Sequence, residues 1–330
     1  MKNKNVKTNA TYGELKKSGN KPMPWELARG KEYQEYRKKW EDYPKKQIEP
    51  DAPLHLDIET TNLCNLKCSM CMRTSLSKKG LLRIGSMEFD FYKHLIDQAA
   101  QMNVYSVKFN YLGEPLIHPD VVKQVAYAKE KGIKEVMFNT NAVMLKPDMS
   151  KKLLDAGIDS IFFSVDSPYP EKYNDIRKGA NFHKVKKNIE NFMKIKEEGG
   201  YDHVQTRVSL VLMDQTDQEL DDYKSMFLDM VGIIGYGEYT DRDKNYGDKP
   251  VENFSCAQPF QRMFITWDGF VFPCCFDDKQ EMILGNANEE KLIDIWHNDA
   301  YKNLREHMRK GTYYKLPLCR KCYIPYAQIG

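Results

Sequence analysis

Residues 54–73 read LHLDIETTNLCNLKCSMCMR, and the fold turns on them. LHLDIET has the composition of a short buried strand. The chain then passes straight into a loop carrying Cys64, Cys68 and Cys71 in a C-x3-C-x2-C spacing. Eight cysteines occur in the 330 residues. The N-terminal stretch MKNKNVKTNATYGELKKSGN is basic and polar and lacks the apolar core of a secretory signal. No run of about 18 apolar residues is present, so no membrane span is expected and a cytoplasmic address is the default. In a reducing compartment, clustered cysteines are more often metal ligands or catalytic groups than disulfides. The net charge is only +3, which makes no electrostatic case for a nucleic-acid partner. The many lysines read as solvated helix faces.

Working outward from the cysteine loop, strand and helix patterns alternate. YSVKFNYL, KEVMFNT, DSIFFSVD, HVQTRVSLVLM and the weaker GIIGYGEY read as five further strands. Helices are expected at 89–102, 118–131, 148–156, 183–198 and 217–230. Gly132 and Gly157 sit just past helix ends, where a left-handed cap is common. Such repeats mean parallel βαβ units. Six units predict an α/β fold built on a partial (βα)6 barrel resembling an incomplete TIM barrel, with its chemistry at the carboxyl ends of the strands. Residues 1–50 are expected to form a charged helical arm whose Trp25, Leu27, Tyr33, Tyr36 and Trp40 pack on the body, with the helix ending near Pro44. The barrel is assigned to 51–245 and a small appendage to 246–330. In the appendage RMFITWDGFVFPCC predicts a hairpin turning at Asp268–Gly269, followed by one helix over 289–309.

A structural zinc site closes with four ligands. Three thiolates instead leave one iron of a four-iron cluster open to an outside ligand. C-x3-C-x2-C after the first strand of such a barrel resembles the radical S-adenosylmethionine (SAM) enzymes, although Met70 stands where that family usually has an aromatic residue. The resemblance implies a 4Fe-4S cluster on Cys64, Cys68 and Cys71, with SAM on the open iron. It also implies SAM cleavage to a hydrogen-abstracting 5′-deoxyadenosyl radical, and an external one-electron reductant such as flavodoxin or ferredoxin. YLGEP (111–115) resembles the family's Gly-Gly-Glu element, with Leu112 in place of the first glycine. It makes Gly113 and Glu114 candidate SAM contacts. Asn139 and Asn141 in FNTNA, Ser164 in FFSVDS and Arg177 in YNDIRKG complete that set, with Arg207 a weaker candidate.

The other five cysteines are Cys256, Cys274, Cys275, Cys319 and Cys322. On spacing alone zinc competes for them. The run from Cys256 through PCCFDD to LPLCRKC resembles the SPASM/twitch appendage, which implies a second, fully ligated 4Fe-4S cluster on Cys256, Cys274, Cys319 and Cys322. Cys275 is left over: a buried apolar thiol, the true ligand in place of Cys274, or a hydrogen-atom donor to a substrate radical. The expected activity is oxidation or epimerisation of a hydroxylated small molecule, a sugar, nucleotide-sugar or aminocyclitol, with a dehydrogenase favoured. Modification of a ribosomally made peptide and a non-catalytic iron–sulfur or zinc scaffold are the alternatives. Tyr169, Tyr173, Arg207, Glu238, Tyr239 and Arg242 are the candidate pocket walls.

Overall fold

The computed structural model describes residues 5–8, 13–17, 23–247 and 249–327. Two short strands, β1 (Asn5–Lys7) and β2 (Gly13–Lys17), and a long helix, α1 (Pro24–Lys46), precede the first motif. The barrel strands are β3 (His55–Ile58), β4 (Ser106–Lys108), β5 (Glu135–Thr140), β6 (Ser160–Ser164), β7 (Gln205–Leu212) and β8 (Ile233–Glu238). They lie side by side in chain order and all run parallel. The barrel is open: β2 pairs antiparallel with β8 at one edge. Nothing in the polar N-terminal sequence signalled that strand.

Strand alternation sorts side chains into two layers. Leu56, Val107, Val136, Phe138, Ile161, Phe163, Val208 and Ile234 belong to the apolar core. The opposite parity, including Asp57, Lys108, Asn139, Ser164 and Arg207, lines the interior. α2 (Met72–Lys78) follows the cysteine loop, and over the core side pack α3 (Phe89–Gln101), α4 (Val121–Glu130), α5 (Pro147–Asp155), α6 (Pro170–Ile176), α7 (Phe182–Glu198) and α8 (Asp217–Val231). The helical stripe on α7 is buried at Phe182, Val185, Ile189 and Phe192, and Asn181 caps it by accepting from the Lys184 amide at 3.0 Å. Gly132 and Gly157 follow helices with φ of +89° and +90°. The second strand is shorter than 105–112. Past Phe109 the Asn110 side chain replaces the ladder, donating to the Asn139 carbonyl at 2.9 Å and accepting from its amide.

The arm closes the amino-terminal end of the barrel, away from the cysteine loop. Arg29 pairs with Glu135 at 2.5 Å and donates to the Asp159 carbonyl at 2.7 Å. Tyr36 stacks on Tyr105 at 4.2 Å, and Trp40 meets His55 edge-on. Trp25, Tyr36 and Trp40 are buried, but Leu27 is 68% exposed and takes no part in the packing. The helix is interrupted at Gly30, and Pro44 lies inside its last turn rather than ending it.

Beyond β8 the sheet continues. After β9 (Phe254–Cys256), β10 (Arg262–Ile265) pairs parallel with β3. Then β11 (Phe270–Phe272) and β12 (Gly285–Asn286) extend that edge antiparallel. The hairpin turns through Thr266–Gly269, with Gly269 at φ +92°. The expected single C-terminal helix is two, α9 (Leu292–Trp296) and α10 (Asp299–Lys310). Asn298 breaks the run because its side chain caps α10, accepting from the Tyr301 amide at 3.0 Å, and donates to the Leu284 carbonyl at 2.7 Å. A last short helix, α11 (Pro317–Arg320), carries Cys319.

Candidate active site

The cysteine loop is tied down along its length. The Glu114 amide donates to the Leu63 carbonyl at 2.8 Å, and the Lys67 and Ser69 amides donate to the carbonyls of Lys178 and Ile176 at 3.0 and 2.9 Å. Asn141 donates through its amide nitrogen to the Asn65 side chain at 2.8 Å. Gly113 is required by close approach: a Cβ there would lie 2.0 Å from the Thr61 carbonyl oxygen.

These contacts frame a cavity of about 410 Å3 at the carboxyl ends of β3–β8. Cys64, Cys68, Cys71, Gly113, Glu114, Asn139, Asn141, Ser164 and Arg177 all line it. Burial pushes the Cys68 thiol up to about 11 and raises Cys64, with the neighbouring thiols adding to both. Without a metal, Cys64 and Cys68 are therefore held as neutral thiols, which release protons on loading. Glu114 is buried and its carboxylate accepts from the Thr140 hydroxyl and the Asn141 amide, both at 2.7 Å, and from the Leu116 amide at 3.2 Å. Burial nevertheless raises its pKa above the usual carboxylate value. Arg177 is held by Asp166 at 2.6 Å, and Asp166 also accepts from the Val211 amide at 2.9 Å. The Asn139 side-chain oxygen is buried without a partner in the cavity wall. Asn141 spends its amide on Asn65 and on the Val143 backbone, so it shapes the loop.

A second cavity is ringed by Cys256, Cys274, Cys275, Cys319 and Cys322 and walled by Phe254, Phe276, Met308, Tyr313 and Ile324. Burial raises all four expected ligands, Cys256 to about 11 and Cys322 to about 12, and each is raised further by neighbouring thiols. Cys275 lies in the walls of both cavities. Among the described residues no three His, Cys, Asp or Glu side chains converge on one metal ion. The sulfurs instead ring two spaces, which suits a multi-iron cube whose corners spread its ligands.

Of the six candidate wall residues only Arg207 reaches the barrel cavity. Tyr173 is in the core, Tyr169 and Tyr239 are 40% and 51% exposed, and Arg242 packs over Phe276 in a separate cleft with Asp278. Sequence reasoning missed Asp57, Lys108 and Arg262, which line the cavity from β3, β4 and β10. Their signal was parity: each is a charge at an inward position of a short strand.

An open parallel barrel with a three-thiol loop at its mouth, joined to a thiol cage, is the arrangement expected of the radical SAM enzymes that the sequence resembles. Residues 58–227, more than half of the chain, match the Radical SAM superfamily, and residues 256–323 match the SPASM iron–sulfur cluster-binding domain. The chain belongs to the radical SAM superfamily and, with its second domain, uses SAM and 4Fe-4S clusters including an auxiliary one. It is 24% identical to the S-adenosyl-L-methionine-dependent 2-deoxy-scyllo-inosamine dehydrogenase of Niallia circulans, covering 81% of this chain and 91% of that protein. The crystal structure of BtrN in complex with AdoMet and 2-DOIA superposes with a TM-score of 0.56 at 22% identity, covering 83% and 94% of the two chains. Streptococcus suis SuiB bound to S-adenosylmethionine gives 0.63 at 17% identity, covering 88% and 77%. No helix among the described residues is long and apolar enough to cross a membrane.

Proposed function

We propose that this chain is a radical SAM dehydrogenase acting at a hydroxyl-bearing carbon of a small carbohydrate-like molecule. The observation that carries the reading is that Cys275, next in sequence to Cys274 of the thiol cage, lines both that cage and the barrel cavity. When bound, SAM and the clusters supply a 5′-deoxyadenosyl radical and a one-electron acceptor. The chain's residues hold one C–H beside the radical and exclude water. The substrate loses a hydrogen atom from carbon, a proton from its hydroxyl and one electron, and a ketone results. The named activity of the Niallia relative supports this class of substrate. Cys64, Cys68 and Cys71 are assigned to the SAM-binding cluster and Cys256, Cys274, Cys319 and Cys322 to the auxiliary one. Glu114, Ser164 and Arg177 are assigned to SAM.

The position of Cys275 favours a second reading. A thiol in the cavity wall can return a hydrogen atom to the opposite face of the substrate carbon, which inverts it; the thiyl radical left at Cys275 then takes one electron from the external reductant and a proton from solvent. Products of the anaerobically loaded enzyme, run in deuterium oxide, separate the two. A ketone from both wild type and Cys275→Ala supports dehydrogenation. An epimer carrying deuterium from wild type, replaced by a ketone in Cys275→Ala, establishes the donor. Absence of 5′-deoxyadenosine from every run with SAM and a reductant refutes both.

A further inference from the structure

Barrel interiors are ordinarily packed with bulky apolar layers. Here one inner layer is charged. Asp57 and Lys108 are register partners on β3 and β4, Arg262 lies on β10 next to β3, and Arg207 is the register partner of Phe162 on β6. Lys108 and Arg262 thus share one carboxylate, Asp57, in that layer. That carboxylate is already engaged: Asp57 receives Arg262 at 3.1 Å and has the His55 ring at 3.5 Å. The Lys108 ammonium makes no hydrogen bond or ion pair with a described residue, and the Arg262 Nε is buried without a partner. Arg207 is already engaged beside them: it lies 3.9 Å over the Phe162 ring and donates to the Ser209 hydroxyl at 2.8 Å. Unmatched charge in a buried wall is costly unless something of opposite sign fills the space.

We propose that this layer is an oxyanion receptor, with Lys108 and Arg262 as its core and Arg207 beside them, and that the substrate carries a phosphoryl or carboxylate group. Guanidinium forks and a lysine point charge are the side chains suited to that ligand. The inference rests on the carbohydrate reading above and narrows it. A phosphorylated or nucleotide-linked sugar, or a sugar acid, fits the layer, and a cationic aminocyclitol such as 2-deoxy-scyllo-inosamine does not. Burial, with Arg262 and Arg207 nearby, also lowers the Lys108 pKa, and an arriving oxyanion would raise it again.

Two measurements on the anaerobically loaded enzyme test this. Equilibrium dialysis with inorganic pyrophosphate compares wild type, Lys108→Met and Lys108→Arg. Binding should weaken roughly ten- to a hundred-fold in the methionine variant and recover largely in the arginine variant. Equal binding by wild type and Lys108→Met overturns the receptor. So does a Lys108→Met effect confined to iron content or cluster absorbance, since the cations would then serve only to offset thiolate charge. The second measurement is deuterium transfer into 5′-deoxyadenosine from labelled hexose, hexose 6-phosphate, hexuronic acid, a uridine diphosphate sugar and 2-deoxy-scyllo-inosamine. Transfer from the anionic members, with the loss in Lys108→Met falling on KM rather than kcat, supports the assignment and identifies the oxyanion. Transfer from the aminocyclitol or plain hexose at equal efficiency overturns it and leaves the carbohydrate reading standing. Transfer from none of them, with pyrophosphate still bound, refutes the carbohydrate reading and keeps the receptor.

Discussion

Glu59 is the group whose ionisation the fold should report. It follows β3 and is only 2% exposed. Its carboxyl accepts from the Leu112 amide at 3.1 Å and from the Trp267 backbone, so it joins the cavity wall to the hairpin turn. Burial outweighs those two bonds and lifts its pKa from 4.5 to about 7. The folded protein therefore favours the protonated acid. The stability linked to Glu59 is fully present below pH 4.5 and is lost as pH rises toward 7. The interval corresponds to about 3 kcal/mol at ~1.4 kcal/mol per unit, or ~5 °C in Tm for a chain this long. Glu59→Gln resembles the protonated acid in shape and cannot ionise. Thermal melts of both proteins from pH 4.5 to 8 give a difference curve that cancels the other titrating groups, Glu114 and Asp159 among them. The variant should gain on wild type as pH rises, with half of the change complete in the middle of that interval. Parallel Tm profiles would refute the burial argument.

The remaining predictions concern the two cavities. Asp166→Asn keeps an acceptor for the Val211 amide but leaves the buried Arg177 without its counter-charge, which costs ~3 kcal/mol or more. The expected results are a lower Tm and, by electron paramagnetic resonance of the reduced cluster, a weaker spectral response to SAM. Cys274→Ala should hold about four irons against about eight in wild type, whereas Cys275→Ala should hold the full complement. The reverse pattern in an iron assay would exchange their roles.

Much of the architecture was legible because its signals are local. Each barrel strand is a short run of β-formers, and the turns after Lys131 and Ala156 need a glycine that accepts positive φ. The cysteines were legible because three thiols in eight residues have few structural uses. The charged inner layer was not. Ser-Val-Lys in β4 reads equally well as a strand with Lys108 in solvent, and only the pairing of Asp57 with Lys108 shows which face is inside. Arg262 joins that layer from 205 residues beyond Asp57, through a parallel pairing that no local pattern announces. The break at Asn298 escaped for a different reason: an asparagine inside a helical pattern is ambiguous until its side chain has a partner.

That parallel pairing also explains how the appendage can shape the active site. β10 meets β3 through four register pairs, Arg262 with His55 through Ile265 with Ile58. Arg262 and Phe264 face the cavity, while Met263 and Ile265 sit in the core. A slip of one residue would exchange the two faces, burying a guanidinium in the core and opening apolar side chains onto the charged layer. The register is thus fixed by the core on one side and by Asp57 on the other. Cys274 and Cys275 follow one residue after β11, so the same register helps set where Cys274 meets the thiol cage and where Cys275 meets both cavities. Their placement thus follows from one continuous sheet that runs from the barrel into the appendage.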